Sequence, residues 1–266
     1  MERGYSHFWI VVIMMIISLL CGCGRSVSNS EQADNLPEVV VGCDNYSPFS
    51  FMDINGNMTG IDVELARAAF SRIGYTPRFV FINWEDKKVL LARGEIDCVW
   101  SSFTMSDRED EYRWAGPYMK SKQVVAVNED SDIYSLKDLE GKIMAVQSTT
   151  KPEDIIRNND GTLPELKKVI SVQKRELIFI LLSKGYVDAL AAHDTSVDQF
   201  MADTGLRYRI LDEPLQAVDL GVAFDKDDTR GIDILLADAL KGMNSDGTTK
   251  QIIGEYLSNA ESYLED

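Results

Sequence analysis

The chain has 266 residues, 45% hydrophobic and 26% charged, a composition that suits one large globular domain or two small ones and allows a substantial core. A net charge of −16 gives a surface that repels phosphate backbones, which argues against nucleic acid as a partner. With two histidines, His7 and His193, and no CxxC among four cysteines, neither a metal site nor a redox motif has support, and no cofactor is expected.

The N-terminus opens with Arg3 and the apolar run "FWIVVIMMIISLL", too short for a membrane span of about 20 residues and suited to a signal-peptide core. "LCGC", Leu20 to Cys23, resembles a bacterial lipobox, with Cys23 as the lipidated residue; Cys21 would place the large Leu20 at the cleavage position. Residues 1–22 are therefore expected to be a lipoprotein signal peptide. Residues 23–36, polar and without periodicity, read as a flexible tether, so that one lipid holds the protein at the membrane without spanning it. Cys43 and Cys98 remain in the body, either as a disulfide of an exported protein or as two buried thiols.

From Glu38 the chain alternates. "EVVVGCD" predicts a buried strand. "GIDVELARAAFSRIG" predicts a helix with Ile61, Leu65, Ala68 and Ala69 on one face and Asp62 in its first turn. "PRFVFI" predicts a strand, "EDKKVLLARG" a short helix and "IDCVWSSF" a strand, the order of a parallel sheet covered by helices. The pattern restarts with strand "QVVAVN", short helix "SLKDLEG", strand "KIMAVQ" and a helix opening at "TTKPEDII". It continues with helix "KRELIFILLSKG", strand "VDALAA", helix "TSVDQFMADTG" and strand "DLGVAFDK", and two helices close the chain. Two α/β lobes are expected, residues 37–120 with 219–266 and an inserted lobe 121–218, with crossings near Tyr118–Lys122 and Gln216–Leu220.

Ligands of open α/β sheets sit at the carboxyl ends of strands. Ser101, Ser102 and Thr104 end one such strand, and Arg108 follows. A guanidinium fork fits a carboxylate, and hydroxyls both donate to an oxygen and accept from an ammonium, so the set suits a zwitterion. The alternative is that the serines cap a helix and Arg108 pairs with Glu109 or Asp110. A second strand ends in Gln147, Ser148, Thr149 and Thr150, where free backbone N–H groups face an anion. A third ends in His193 and Asp194; Asp194 either holds an α-ammonium or caps the following helix.

Six segments in order, "GIDVELARAAFSRIG", "ARGEIDCVWSSFTMSDRE", "YRWAGPYM", "AVQSTTKPE", "GYVDALAAHDTS" and "MNSDGTTKQIIGEYL", carry a resemblance to the family 3 extracellular solute-binding proteins. These are the amino-acid receptors of ABC importers, with a type II periplasmic binding fold of two mostly parallel α/β lobes and a two-stranded hinge. The resemblance runs from about Val39 to Leu257. It implies that Arg108 clamps the ligand α-carboxylate, with Ser102, Thr104 and Thr150 contributing hydroxyl and backbone contacts. It further implies that Asp194 takes the α-ammonium, and that Tyr46 and Trp84 sandwich the side chain. Three spacings depart from the family pattern: Thr104 to Arg108 is one residue shorter, "CDNYSPF" is one shorter between Asp44 and Tyr46, and "VDALAAHD" carries one residue more before the acid. The implied partners are a free amino acid, an ABC permease and, through the lipid, the membrane; the implied state is a monomer.

Asp44 beside Tyr46 and Trp84 suits a cationic side chain, whereas "HDT" at His193–Thr195 resembles glutamine binders, so a polar or basic amino acid is expected. The rival readings are a dehydratase resembling cyclohexadienyl dehydratase, for which His193 and Asp194 are the available acid–base pair, and a ligand-binding sensor module. The expected protein is not an enzyme.

Overall fold

The computed structural model describes residues 36–159 and 161–264. The signal peptide, Cys23 and the tether up to residue 35 lie outside the described residues.

The β-branched run forms β1 (Glu38–Cys43), whose inner residues Val39, Val41 and Cys43 are fully buried. A small antiparallel ribbon, β2 (Phe51–Met52) and β3 (Met58–Thr59), leads into α1 (Ile61–Arg72). Ile61, Leu65, Ala66, Ala69 and Phe70 form its buried stripe, while Ala68 is only half-buried. Gly60 precedes α1 at φ 122°, a conformation open to glycine, and a Cβ there would lie 2.3 Å from the Phe49 carbonyl oxygen. β4 (Thr76–Phe81) pairs in parallel with β1. A 3-10 turn over Trp84–Asp86 runs into α2 (Lys87–Ala92).

The strand expected over "IDCVWSSF" is reduced to β5 (Cys98–Val99), parallel to β1. The chain leaves the ladder there because the Ser102 N–H donates to buried Asp62 instead. The next strand is longer than expected: β6 spans Arg113–Asn128. "SLKDLEG" is a 3-10 turn over Leu136–Leu139, closed by a Ser135–Asp138 capping box and too short for an α-helix before Gly141. β7 (Ile143–Gln147), α3 (Lys151–Asn158), β8 (Lys168–Val172), α4 (Glu176–Ser183), β9 (Ala189–His193) and α5 (Asp194–Thr204) follow. The chain ends with β10 (Tyr208–Ile210), β11 (Gln216–Phe224), α6 (Ile232–Ser245) and α7 (Thr248–Gly254).

The strands lie in the order β4-β1-β5-β11-β6-β9-β7-β8, with β10 also on β6. Parallel pairs sit at both ends, β1 with β4 and β5, and β7 with β8 and β9. In the middle, β11 and β6 are antiparallel, with Gln216 opposite Gln123 and Leu220 opposite Met119. The segments Met119–Gln123 and Gln216–Leu220 are thus paired with each other. One lobe has cores on both faces of its sheet, around Leu65, Phe70, Trp100 and Leu236 on one side and Trp84, Phe103 and Tyr112 on the other. The other lobe is built likewise, around Leu139, Met144 and Leu211 and around Phe179, Leu182 and Leu190. The fold is the two-lobed type II periplasmic binding architecture.

Cys43 and Cys98 are free, buried thiols. The register explains why: Cys98 stands opposite Val41, so Cys43 is two residues further along. That offset separates the Cα atoms by about 8 Å from strand spacings, beyond disulfide reach.

Candidate functional site

Strand ends from both lobes converge on a small cavity lined by Ser102, Thr104, Arg108, Gln123, Thr150 and His193. The hydroxyl cluster after β5 divides its work. Ser101 accepts a hydrogen bond from the Asp44 N–H at 3.1 Å and shares another with Ser50, so it holds the loops together. Ser102 sits at φ 49°, a strained position for a residue with a Cβ. Its N–H is held 2.6 Å from Asp62 Oδ2, while Tyr118 donates to the other carboxylate oxygen at 2.8 Å. Burial pushes the Asp62 carboxyl up to about 7 against the pull of these two donors. Thr104 accepts from the Gln123 amide at 3.2 Å.

Arg108 is 7% exposed and lies 5.4 Å from the Phe103 ring. Its guanidinium pairs with Asp154 of α3, neither Glu109 nor Asp110 being its partner. From the other wall, β7 delivers Gln147 and Thr150, whose hydroxyl donates to the Gln147 carbonyl at 2.6 Å. Lys151 donates to Asp107 at 2.7 Å and to the Ser106 carbonyl at 3.0 Å. His193, at the end of β9, shares hydrogen bonds with Ser121 at 2.8 Å and Gln123 at 2.9 Å. Burial, reinforced by the positive charge of Arg175, lowers its pKa to about 3, so the ring is neutral.

Of the residues singled out in the sequence, Arg108, Ser102, Thr104, Thr150, Tyr46, Trp84, Gln147 and His193 line this cavity. Asp194 does not. It is the first residue of α5, its carboxylate accepts from the Thr195 N–H at 2.8 Å and from Ser121 at 3.2 Å, and it faces a separate depression with Lys120 and Tyr263. β9 ends at His193, which lines the cavity, and Asp194 begins the helix that follows. Asp44 stands just behind the lining, where its Oδ2 accepts from Gln147 at 3.0 Å and Arg175 at 2.8 Å.

Four residues were missed. Gln123 is fully buried, and a polar residue heading the apolar run of "QVVAVN" was its signal. Arg175 lies at a strand-to-helix junction of the same kind as Thr150. Lys151 follows the Thr150 cap directly. Lys87 is 6% exposed and donates to the Thr149 carbonyl and hydroxyl at 3.1 and 3.0 Å; burial, with the nearby charge of Arg108, lowers its pKa to about 7. The two walls are joined further by Glu85, which accepts from Ser148 at 2.6 Å and from Gln173. The cleft is closed. Within it, Ser102 Oγ, Gln123 Oε1 and Trp84 Nε1 are buried and have no hydrogen-bond partner. Each such group costs about 1–3 kcal/mol, so the site is built for a polar guest.

A two-lobed α/β molecule with a polar cleft at its strand ends defines a solute-binding protein. Residues 39–259 match the bacterial extracellular solute-binding proteins, family 3, and the chain belongs to that family. It is 25% identical over 253 residues to the probable amino-acid-binding protein YxeM of Bacillus subtilis, covering 94% of each chain. An ABC uptake transporter substrate-binding protein from Streptococcus pneumoniae, solved with bound histidine, has a TM-score of 0.77 at 24% identity, covering 86% of this chain and 95% of the other. The ancestral amino-acid-binding protein AncCDT-1, a precursor of cyclohexadienyl dehydratase, has a TM-score of 0.72 at 28% identity, with 82% and 95% covered. Among the described residues no helix is long and apolar enough to cross a membrane.

Proposed function

We propose that the protein is an extracytoplasmic receptor that binds one free amino acid between its lobes and delivers it to an ABC importer. One observation carries this reading: the convergence of Arg108, the hydroxyls of Ser102 and Thr104, and unpartnered buried polar atoms on one closed cavity. Arg108 exchanges Asp154 for the ligand α-carboxylate, helped by Thr150. The α-ammonium is held by neutral acceptors, Ser102 Oγ, Thr104 Oγ1 and Gln123 Oε1, since Asp194 faces elsewhere. Tyr46 and Trp84 flank the side chain. Closure excludes water and strengthens these charged contacts.

The lobes divide as 37–120 with 219–266, and 121–218. Signal-peptide removal and lipidation at Cys23 place a monomeric protein on the outer face of a membrane. On this reading the protein binds and does not catalyse: the neutral ring of His193 is engaged by Ser121 and Gln123 as part of the cavity wall.

A thermal-shift screen of the twenty amino acids identifies the ligand, because a guest that binds only the native state raises the melting temperature. Arg108→Ala should then weaken binding by about a hundredfold or more in calorimetry, with the circular dichroism spectrum unchanged. Undiminished affinity refutes the assignment, and turnover of a cyclic acid in place of binding refutes the receptor.

A further inference from the structure

The acid and aromatic ring that suit a cationic side chain already hold one. The Arg175 guanidinium carbon lies 3.2 Å from the centre of the Tyr46 ring, and Nη2 is 2.8 Å from Asp44 Oδ2. The Arg175 side chain is 11% exposed. A second donor, Gln147 Nε2, fills the same Asp44 oxygen at 3.0 Å. An ion pair plus a cation over an aromatic face is the set that recognises a basic side chain, and here it is satisfied from within the chain.

Two further observations point the same way. Among the described residues, the charged ones lining the cavity are Arg108, Lys151 and Arg175, and none is a carboxylate. Tyr46 and Arg175 also line a neighbouring depression that contains Glu176 and Asp203. The stacked pair therefore forms a partition between a cationic cavity and an acidic one.

We propose that Arg175 sets the ligand class. Resting on the receptor reading above, it stands in for a basic side chain, so the site takes an amino acid whose polar side chain is neutral or acidic and rejects lysine and arginine. A lysine or arginine entering the cavity brings a second cation against Arg175 with no lining carboxylate to meet it. Displacing Arg175 instead would break a half-buried ion pair. A neutral amide or a carboxylate accepts hydrogen bonds from Lys151 or Arg175 without either cost.

The test is calorimetry with glutamine, glutamate, asparagine, aspartate, lysine and arginine on the wild type, Arg175→Ala, Arg175→Met and Arg175→Ala combined with Asp44→Asn. The wild type should favour an amide or acid over lysine and arginine by at least a hundredfold. Arg175→Ala frees Asp44 and opens the partition, and should gain at least tenfold for lysine or arginine. The added Asp44→Asn change should cancel that gain. Arg175→Met keeps the stem over Tyr46 without the charge, and should show the same direction if the alanine variant fails to fold. A wild type that binds lysine or arginine tightest overturns this inference and leaves the receptor standing. Folded Arg175 variants that still reject basic amino acids also overturn it. A wild type that binds no free amino acid ends both readings.

Discussion

Asp62 gives the sharpest test of how the candidate site is held. Its carboxylate accepts from the Ser102 N–H and the Tyr118 hydroxyl, and burial raises its pKa from 3.8 to about 7. In the unfolded chain the carboxyl releases its proton near 3.8; in the folded chain it keeps it until about 7. Between those values the folded state binds more protons, so stability falls as pH rises. Each pH unit is worth about 1.4 kcal/mol, so the window accounts for at most about 4 kcal/mol. An asparagine side chain at this position would copy the protonated form, its carbonyl accepting from Ser102 and its amide donating to Tyr118. Asp62→Asn should therefore be nearly neutral at pH 4 and more stable than the wild type by about 2–4 kcal/mol at pH 8, or roughly 10 °C in melting temperature. Denaturant titration of both proteins at pH 4, 6 and 8 measures the difference, which cancels the titration of every other group. A difference that stays constant across that range refutes the argument.

Gly60→Ala should cost about 3 kcal/mol or more, read from a denaturant midpoint, because its Cβ would meet the Phe49 carbonyl oxygen at 2.3 Å and its φ is 122°. Burial raises the Cys43 thiol to about 12 and the Cys98 thiol well above its ordinary value. Both should react with iodoacetamide at pH 8 at least about a hundredfold more slowly in the native protein than in denaturant; equal rates would contradict the burial. Glu85→Gln weakens the contacts to Ser148 and Gln173 that bridge the cleft. It should raise the radius of gyration seen by small-angle scattering without lowering the melting temperature by more than a few degrees; no change in size would show that Glu85 does not favour closure.

The β-branched runs and amphipathic stretches identified the principal strands and helices because period and length are local properties. "EVVVGC" reads as a buried strand whatever follows it, and the stripe through Ile61, Leu65 and Ala69 has nowhere to go but the core. Strand-end hydroxyls likewise marked both walls of the cavity. Three features were not local. Asp62 reads as an ordinary acid in a first helical turn, and its grip on Ser102 spans 40 residues. The partner of Arg108 lies 46 residues away, and adjacent Glu109 and Asp110 obscure it in the sequence. The facing of His193 and Asp194 depends on where β9 stops, and a single position there exchanges a carboxyl side chain for an imidazole ring.

The ladder between β6 and β11 runs unbroken from Gln216–Gln123 to Leu220–Met119, through the waist where the lobes meet. A joint made of two bonded ribbons behaves as a torsion bar and not as a swivel. Any turning of one half against the other is shared as twist over several residue pairs, each keeping its hydrogen bonds. Mechanical resistance at the waist is thereby set by backbone geometry, and substitutions of outward-facing side chains along it should leave the stiffness of the joint largely untouched.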